Sequence, residues 1–237
     1  MRVSLFVTCL IDQLRPEVGE ATVAVLERAG CEVHFDPRQT CCGQPACNSG
    51  YREDARAVAR QALEALEGDD PVVVPSGSCA AQLVHLADLF EEGSAEHARA
   101  KALAPRVHEL SSFLVDELGV DSLASGYRGR VTWHDACHGL RDLGTRDQPR
   151  RLLRAVEGVD LVEMASCETC CGFGGTFSVK MPELSVAMAD RKLDELEQAG
   201  LDAVVSADLS CLMQLGGRLQ ERGSSVRTLH LAEVLAG

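Results

Sequence analysis

The stretch Cys167-Glu168-Thr169-Cys170-Cys171-Gly172-Phe173-Gly174-Gly175 is difficult to read as packing. Neighbouring side chains on a strand or helix point in different directions, so one core does not readily bury both Cys170 and Cys171. A tight turn can aim both sulfurs at one small object, and Gly172 lets the backbone come close to it. The pair has a twin, Cys41-Cys42-Gly43, 129 residues earlier. Single cysteines flank each pair at nearly matching distances. Cys9 and Cys79 stand around the first, and Cys137 and Cys211 around the second, at offsets of 128 and 132 residues. The repetition reads as two thiolate clusters, four sulfurs in each half, that hold metal.

Outward from these clusters the chain alternates between strand and helix patterns. Val3 to Val7, Cys31 to Phe35 and Pro71 to Val74 are apolar or alternating runs that predict strands, and Val107 to Leu118 predicts a closing helix of the first half. Helical spacing is expected from Pro16 to Gly30, from Ala46 to Leu66, and through Leu83, Leu86 and Phe90. The second half replays the order, with strands at Val131–His134, Val159–Met164, Asp202–Ser206 and Val226–Leu229 and a long helix from Pro182 to Gly200. This predicts an α/β fold of two tandem pseudo-symmetric repeats, residues 1–125 and 126–237, each a mainly parallel sheet with flanking helices. All eight repeat cysteines then fall after strand ends, where open α/β sheets bind ligands and where helix N-termini supply N–H groups.

Composition narrows the function. A formal charge of −13 excludes the basic footprint that nucleic acid requires and gives no attraction to an anionic membrane surface. The apolar run at the N-terminus is broken at once by Asp12 and Arg15, so it reads as a strand rather than a signal peptide or a membrane insertion. The expected location is the cytoplasm, where eleven cysteines mean metal or redox chemistry more often than disulfides.

Four cysteines per repeat match the ligand number of a 4Fe–4S cluster and also of structural zinc. Zinc sites commonly use two closely spaced pairs. Here the ligands come singly, as an adjacent pair, and singly, a pattern that suits a larger cluster fed by scattered loops. One or two 4Fe–4S clusters are therefore expected, with zinc as the alternative in the first repeat. The metal ligands read from the sequence are Cys9, Cys41, Cys42, Cys79, Cys137, Cys170, Cys171 and Cys211. Gly43 and Gly172 are expected to let backbone N–H groups approach the cofactor. His134 and His138 bracket Cys137 and could donate to a cluster, ligate, or move protons, while Phe6 and Leu10 hold the matching places in the first half. Cys31 and Cys47 read as packing, and Cys167 as a spare thiol forming Cys-x-x-Cys with Cys170.

The spacing of Cys, Cys-Cys-Gly and a final Cys in each half resembles the CCG cysteine-rich domain. That domain occurs twice in the B subunit of heterodisulfide reductase and in iron–sulfur subunits of glycolate and lactate oxidation systems. The words His134-Asp135-Ala136-Cys137-His138-Gly139, Cys170-Cys171-Gly172-Phe173-Gly174-Gly175 and Leu229-His230-Leu231-Ala232-Glu233-Val234 are similar to the lactate utilization protein A group, and the likeness covers essentially the whole chain. Two positions depart from the pattern. Where the full motif has Cys-x-x-Cys, this chain has Ser76-Gly77-Ser78-Cys79 and Asp208-Leu209-Ser210-Cys211. The heterodisulfide chemistry of the five-cysteine form is therefore not implied, and Ser76 and Asp208 are expected to cap helices rather than bind metal.

The resemblance implies an electron-transfer subunit of a multi-protein L-lactate oxidation system, working with other subunits that include a ferredoxin-like iron–sulfur protein. It would not itself be the catalyst, because no flavin or nicotinamide fingerprint stands in the sequence. A glycolate or heterodisulfide-type system, or a zinc-stabilised scaffold without redox activity, is the rival expectation. Of the two centres, the second, with its histidines and extra glycines, is expected to be the redox-active one.

Overall fold

A computed structural model describes residues 1–237. The first half runs β1 (Arg2–Leu5), α1 (Cys9–Leu14), α2 (Pro16–Arg28), β2 (Glu32–His34), α3 (Gln44–Asn48), α4 (Arg52–Ala65), β3 (Val72–Val74), α5 (Gly77–Val84), α6 (Ala95–Leu103), β4 (Val107–Glu109) and α7 (Leu110–Ser112), which continues as a wider turn through Glu117. The second half runs β5 (Gly129–Trp133), α8 (Cys137–Asp142), α9 (Asp147–Ala155), β6 (Val159–Leu161), α10 (Thr176–Lys180), α11 (Pro182–Gln198), β7 (Ala203–Ser206), α12 (Leu209–Glu221), β8 (Arg227–His230) and α13 (Leu231–Ala236). The strands form two parallel four-stranded sheets of identical order, β2-β1-β3-β4 and β6-β5-β7-β8. The α/β repeat architecture read from the sequence is the one observed. No helix is long and apolar enough to cross a membrane.

Three expected elements differ, each for a local reason. The closing helix of the first half begins with a strand, because Val107–Glu109 pairs in parallel with Val72–Val74. Three residues are too few to display an alternating pattern. The helix expected from Ala46 to Leu66 is two helices, broken where Gly50 takes a positive φ of 84°. The helix expected through Leu86 and Phe90 stops at Val84, and Leu86–Leu89 forms a separate tighter turn.

Alternation along the strands divides the apolar residues between two faces. Val72, Val74 and Phe6 point to an outer cluster with Ala55, Ala59, Ala62 and Leu63 of α4. Val3, Leu5 and Val73 point the other way, into a core that also contains Val131, Trp133, Ala203 and Val205 of the second sheet. The two repeats therefore share their largest core. α13, the end of the second repeat, packs on α2 of the first, with Leu231, Val234 and Leu235 against Val25 and Leu26. Arg28 and Arg15 of the first repeat fasten this contact through the carbonyl of Leu235, at 2.6 Å, and the carboxylate of Glu233, at 2.8 Å. Between α5 and α8 the backbones touch: a Cβ placed on Gly77 would lie 2.8 Å from Cα of Gly139.

Glu109 lies at this joint between the repeats, 1% exposed. Its Oε2 accepts from the backbone N–H groups of Ser111 and Ser112, at 2.9 and 3.2 Å, and from the Ser111 hydroxyl. Its Oε1 has no partner. Burial raises its pKa to about 7, against these donors and with Asp208 adding repulsion. The folded chain thus holds a proton that the unfolded chain releases near pH 4.5. This contribution to stability is complete below the unfolded value and is lost as pH rises through about 7. Glu109→Gln should therefore stabilise the reduced, metal-free chain at pH 8 by up to about 3 kcal/mol. The gain should shrink toward zero at pH 4.5, as read by urea unfolding at both values. An equal gain at both would show that the carboxyl does not titrate with folding.

Candidate metal centre

Strand ends and helix starts bring the cysteines together. Cys9 opens α1 and Cys137 opens α8, while Cys79 and Cys211 sit in the first turns of α5 and α12. The adjacent pairs occupy the turns that lead into α3 and α10. All eight line one cavity of about 400 Å³ at the junction of the two repeats. The spacing predicts two clusters, and the fold opens both onto the same space. Cys31 is buried in the shared core, Cys47 packs beside the outer cluster of the first sheet, and Cys167 is absent from the cavity wall.

In the first repeat the sulfurs form two close pairs. Cys9 and Cys41 Sγ atoms are 3.5 Å apart and those of Cys42 and Cys79 are 3.3 Å apart. In the second repeat the matching partners, Cys137 with Cys170 and Cys171 with Cys211, act on one another's acidity as their counterparts do, and the Cys171 and Cys211 sulfurs lie within 4.8 Å of each other. All eleven cysteines are free thiols. The two glycines play matching parts, since Gly43 N–H and Gly172 N–H each lie 3.4 Å from the sulfur two residues before, Cys41 and Cys170. Their positive φ values, 86° and 89°, turn those amides inward. At Gly172 a Cβ would also meet the Ser185 carbonyl at 2.5 Å, so no side chain fits. Thr8, just before Cys9, takes a positive φ of 71°, a strained conformation for a β-branched residue and of the kind that collects at functional sites.

The sulfurs do not share protons equally. Hydrogen bonds from Cys42 and Cys9 hold Cys41 far below the usual thiol range, and those from Cys137 and Cys171 do the same for Cys170. Their partners Cys9, Cys42, Cys137 and Cys171 are pushed up, chiefly by the same bonds seen from the other side. Cys211 is lowered to about 6, chiefly by its hydrogen bond with Cys171. Four thiols this close cannot all ionise without a cation among them.

His134 is the imidazole placed to join that cation. It is 1% exposed, and its Nδ1 lies 3.3 Å from the Cys167 carbonyl oxygen. A carbonyl only accepts, so Nδ1 carries the proton and Nε2 offers a lone pair. Nε2 is buried without a partner, and the ligand atoms of His134, Cys171 and Cys211 all lie within 4.8 Å of one another. His138 also borders the cavity, but it is half-exposed and its Nδ1 pairs with Asp142 at 2.6 Å.

The two departures from the cysteine pattern meet each other. Ser76 caps α5 as expected, accepting from Cys79 N–H at 3.3 Å. Asp208 does not cap its own helix. Instead it reaches into the other repeat, where Oδ2 accepts from Ser78 N–H at 2.9 Å and Oδ1 accepts from the Ser76 and Ser78 hydroxyls at 3.0 and 2.6 Å. His230 ties the same joint. Its Nε2 lies 3.0 Å from the Pro75 carbonyl and 3.1 Å from that of Ala207, while its Nδ1 accepts from Ala232 N–H. Behind Cys137, Arg150 grips the buried Asp135 through two bonds of 2.8 and 2.6 Å, and Trp133 Nε1 adds a third at 2.8 Å. Burial would raise the Asp135 pKa, and Arg150 brings it below the ordinary carboxylate value. Sequence reasoning assigned no role to Asp135, Arg150 or His230. Only Asp135 and His230 had a signal, in that they fell inside quoted family words.

The CCG cysteine-rich domain family matches residues 3–84 and 131–216. Lactate utilization protein A of Geobacillus kaustophilus (strain HTA426) is 49% identical over 235 residues, covering 99% of this chain and 98% of that protein. The protein of the same name from Halalkalibacterium halodurans is 48% identical, over 99% of this chain and 96% of the relative. Lactate utilization protein A 2 of Bacillus cereus (strain Q1) is 44% identical, over 100% and 98%.

Asp208→Ala should destabilise the metal-free chain by about 3 kcal/mol, because it strips a buried charged acceptor from three donors. Denaturant unfolding should show the loss, and Asp208→Asn should recover part of it. A change below 0.5 kcal/mol, roughly that of an ordinary surface substitution, would mean that the cross-repeat bonds carry no weight.

Proposed function

Because this chain belongs to the lactate utilization protein A family of CCG cysteine-rich proteins, we propose that it is the iron–sulfur electron-transfer subunit of a multi-protein system that oxidises L-lactate. Cys9, Cys41, Cys42 and Cys79 would hold one centre, and Cys137, Cys170, Cys171 and Cys211 the other. The observation that carries this reading is the convergence of eight free thiols, in two groups of four, on one cavity. The donor chemistry suits the group: four thiolates are the ligand set of a 4Fe–4S cluster, and the inward N–H groups of Gly43 and Gly172 are the donors that a negatively charged cluster takes up. The clusters, when bound, supply one-electron transfer.

The chain's own residues do the rest. Helix N-termini direct partial positive charge at the sulfurs. Cys42, Cys171 and Cys211 are buried, while Cys9, Cys41, Cys79, Cys137 and Cys170 are part-exposed, so each group keeps both a covered and an accessible sulfur. His134, its Nδ1–H held by the Cys167 carbonyl, presents Nε2 to the second group as a ligand or acceptor. Removal of hydrogen from lactate belongs to a partner subunit, and a ferredoxin-like iron–sulfur protein is the expected electron partner. The free thiols suit a reducing, cytoplasmic setting.

A second reading rests on the tight grouping of His134, Cys171 and Cys211, whose spacing also suits a single zinc ion. It places zinc in the second repeat rather than the first. Iron, zinc and acid-labile sulfide assays on anaerobically purified protein separate the two. Iron with matching sulfide is expected, and Cys171→Ser should abolish the contribution of the second group. Stoichiometric zinc without sulfide would replace the electron-transfer reading with a scaffold role. The purified chain alone should not oxidise lactate with added quinone or nicotinamide, since one-electron centres do not readily take a hydride. Turnover by the single chain would refute the subunit assignment.

A further inference from the structure

Lys192 is fully buried in the middle of α11, at 0% exposure. Its ammonium donates to the backbone carbonyls of Ser166 and Cys167, the latter at 3.2 Å. No carboxylate lies within 4.0 Å of it. The two carboxylates whose charge reaches it are already engaged: Asp135 by Arg150 and Trp133, and Glu195 by the N–H groups of Ala165 and Ser166. A buried lysine ordinarily pairs with a carboxylate or gives up its charge. Burial lowers the pKa of Lys192, with negative charge at Cys167, Cys171, Cys211 and Asp135 opposing it, so the ammonium needs an anionic neighbour to stay charged. Ala189 and Leu193, on either side of it along α11, pack in one cluster with Cys171 and Cys211, which sets the ammonium close behind the sulfurs of the second centre.

The first repeat offers the comparison. Ser185, Ala189, Lys192, Leu193 and Leu196 of α11 correspond, at a constant offset of 130 residues, to Ala55, Ala59, Ala62, Leu63 and Leu66. Every one of these positions is buried, and only Lys192 exchanges a methyl group for a cation.

Building on the two-centre reading above, we propose that Lys192 is the built-in counter-charge of the second centre, a positioning residue that favours its more negative state and adds to the asymmetry between two centres whose cysteine skeletons match. A fixed positive charge in a low-dielectric surround acts over several ångströms without touching a ligand. It stabilises the reduced form over the oxidised one, since reduction adds negative charge. The centre beside Lys192 then has the higher potential, and the one beside Ala62 lacks this aid.

The test uses the full-length chain with Lys192→Gln, Lys192→Met and Lys192→Arg. Gln keeps a donor for the loop carbonyls without the charge, and Arg keeps the charge. After anaerobic reconstitution with iron and sulfide, the second centre is followed by EPR redox titration in a Cys42→Ser background. Gln and Met should each lower its preference for the reduced state at least tenfold, about 59 mV toward lower potential for one electron, while Arg stays near the parent. In parallel, Co²⁺ titration of the metal-free proteins should show at least tenfold weaker binding at the second site for Gln and Met. This arm does not depend on which metal resides there, so it survives failure of the iron–sulfur reading. If Met releases the loop and unfolds, Gln decides. An unchanged potential and unchanged Co²⁺ affinity in Lys192→Gln would overturn the proposal, as would Arg falling as far as Met, which would make the residue a packing brace.

Discussion

The joint closed by Asp208 sets the geometry on which everything else in this protein depends. A carboxylate from the second repeat receives three donors from the first turn of a helix in the first, and His230 holds the carbonyls just before both loops. Cys79 and Cys211 each follow that joint by three residues. Their sulfurs therefore cannot move independently, and the cavity that both repeats face is held at its base. The close backbone approach of Gly77 and Gly139 serves the same end, because any side chain there would separate the two repeats.

A structure that gathers eight thiols must also manage their charge. It does so first with backbone donors, through helix N-termini and the positive-φ glycines, and these are nearly the same in both repeats. Beyond them the second repeat has three features without a counterpart: the lone pair of His134, the Asp135–Arg150 pair and the buried ammonium of Lys192. The resulting asymmetry lies in the side chains around the sulfurs and not in the sulfurs themselves. Duplicated frames with unequal surroundings are a direct route to two centres with different properties.

The departures from the cysteine motif have a structural meaning beyond the loss of ligands. Ser76 and Asp208 stand at equivalent places in the two repeats and are bonded to each other. Each repeat gives up one sulfur, and the two replacements build the contact between repeats. Oxygen atoms occupied in this way are satisfied by donors and have little left to offer a metal.

Much of this was legible in the residues alone. The doubled Cys-Cys-Gly, the alternation of strand and helix patterns, and the placement of every repeat cysteine after a strand end specify two parallel α/β units with thiols at their carboxyl ends. These are local or periodic signals, and short-range stereochemistry is enough to decode them. Even so, the sequence pattern predicts helix at the three-residue β4, because a strand that short is defined by its neighbour β3 rather than by its own pattern. What only the tertiary structure decided is which groups from distant segments meet. It placed both sets of four sulfurs on one cavity, turned Asp208 away from its own helix toward Ser78, left Nε2 of His134 without a partner, and buried Lys192 behind the second set. Lys192 looks, on a charged amphipathic helix, like any solvent-facing lysine. Its burial depends on the packing of α11 against a sheet and a loop more than twenty residues away, and no periodicity within the helix records that.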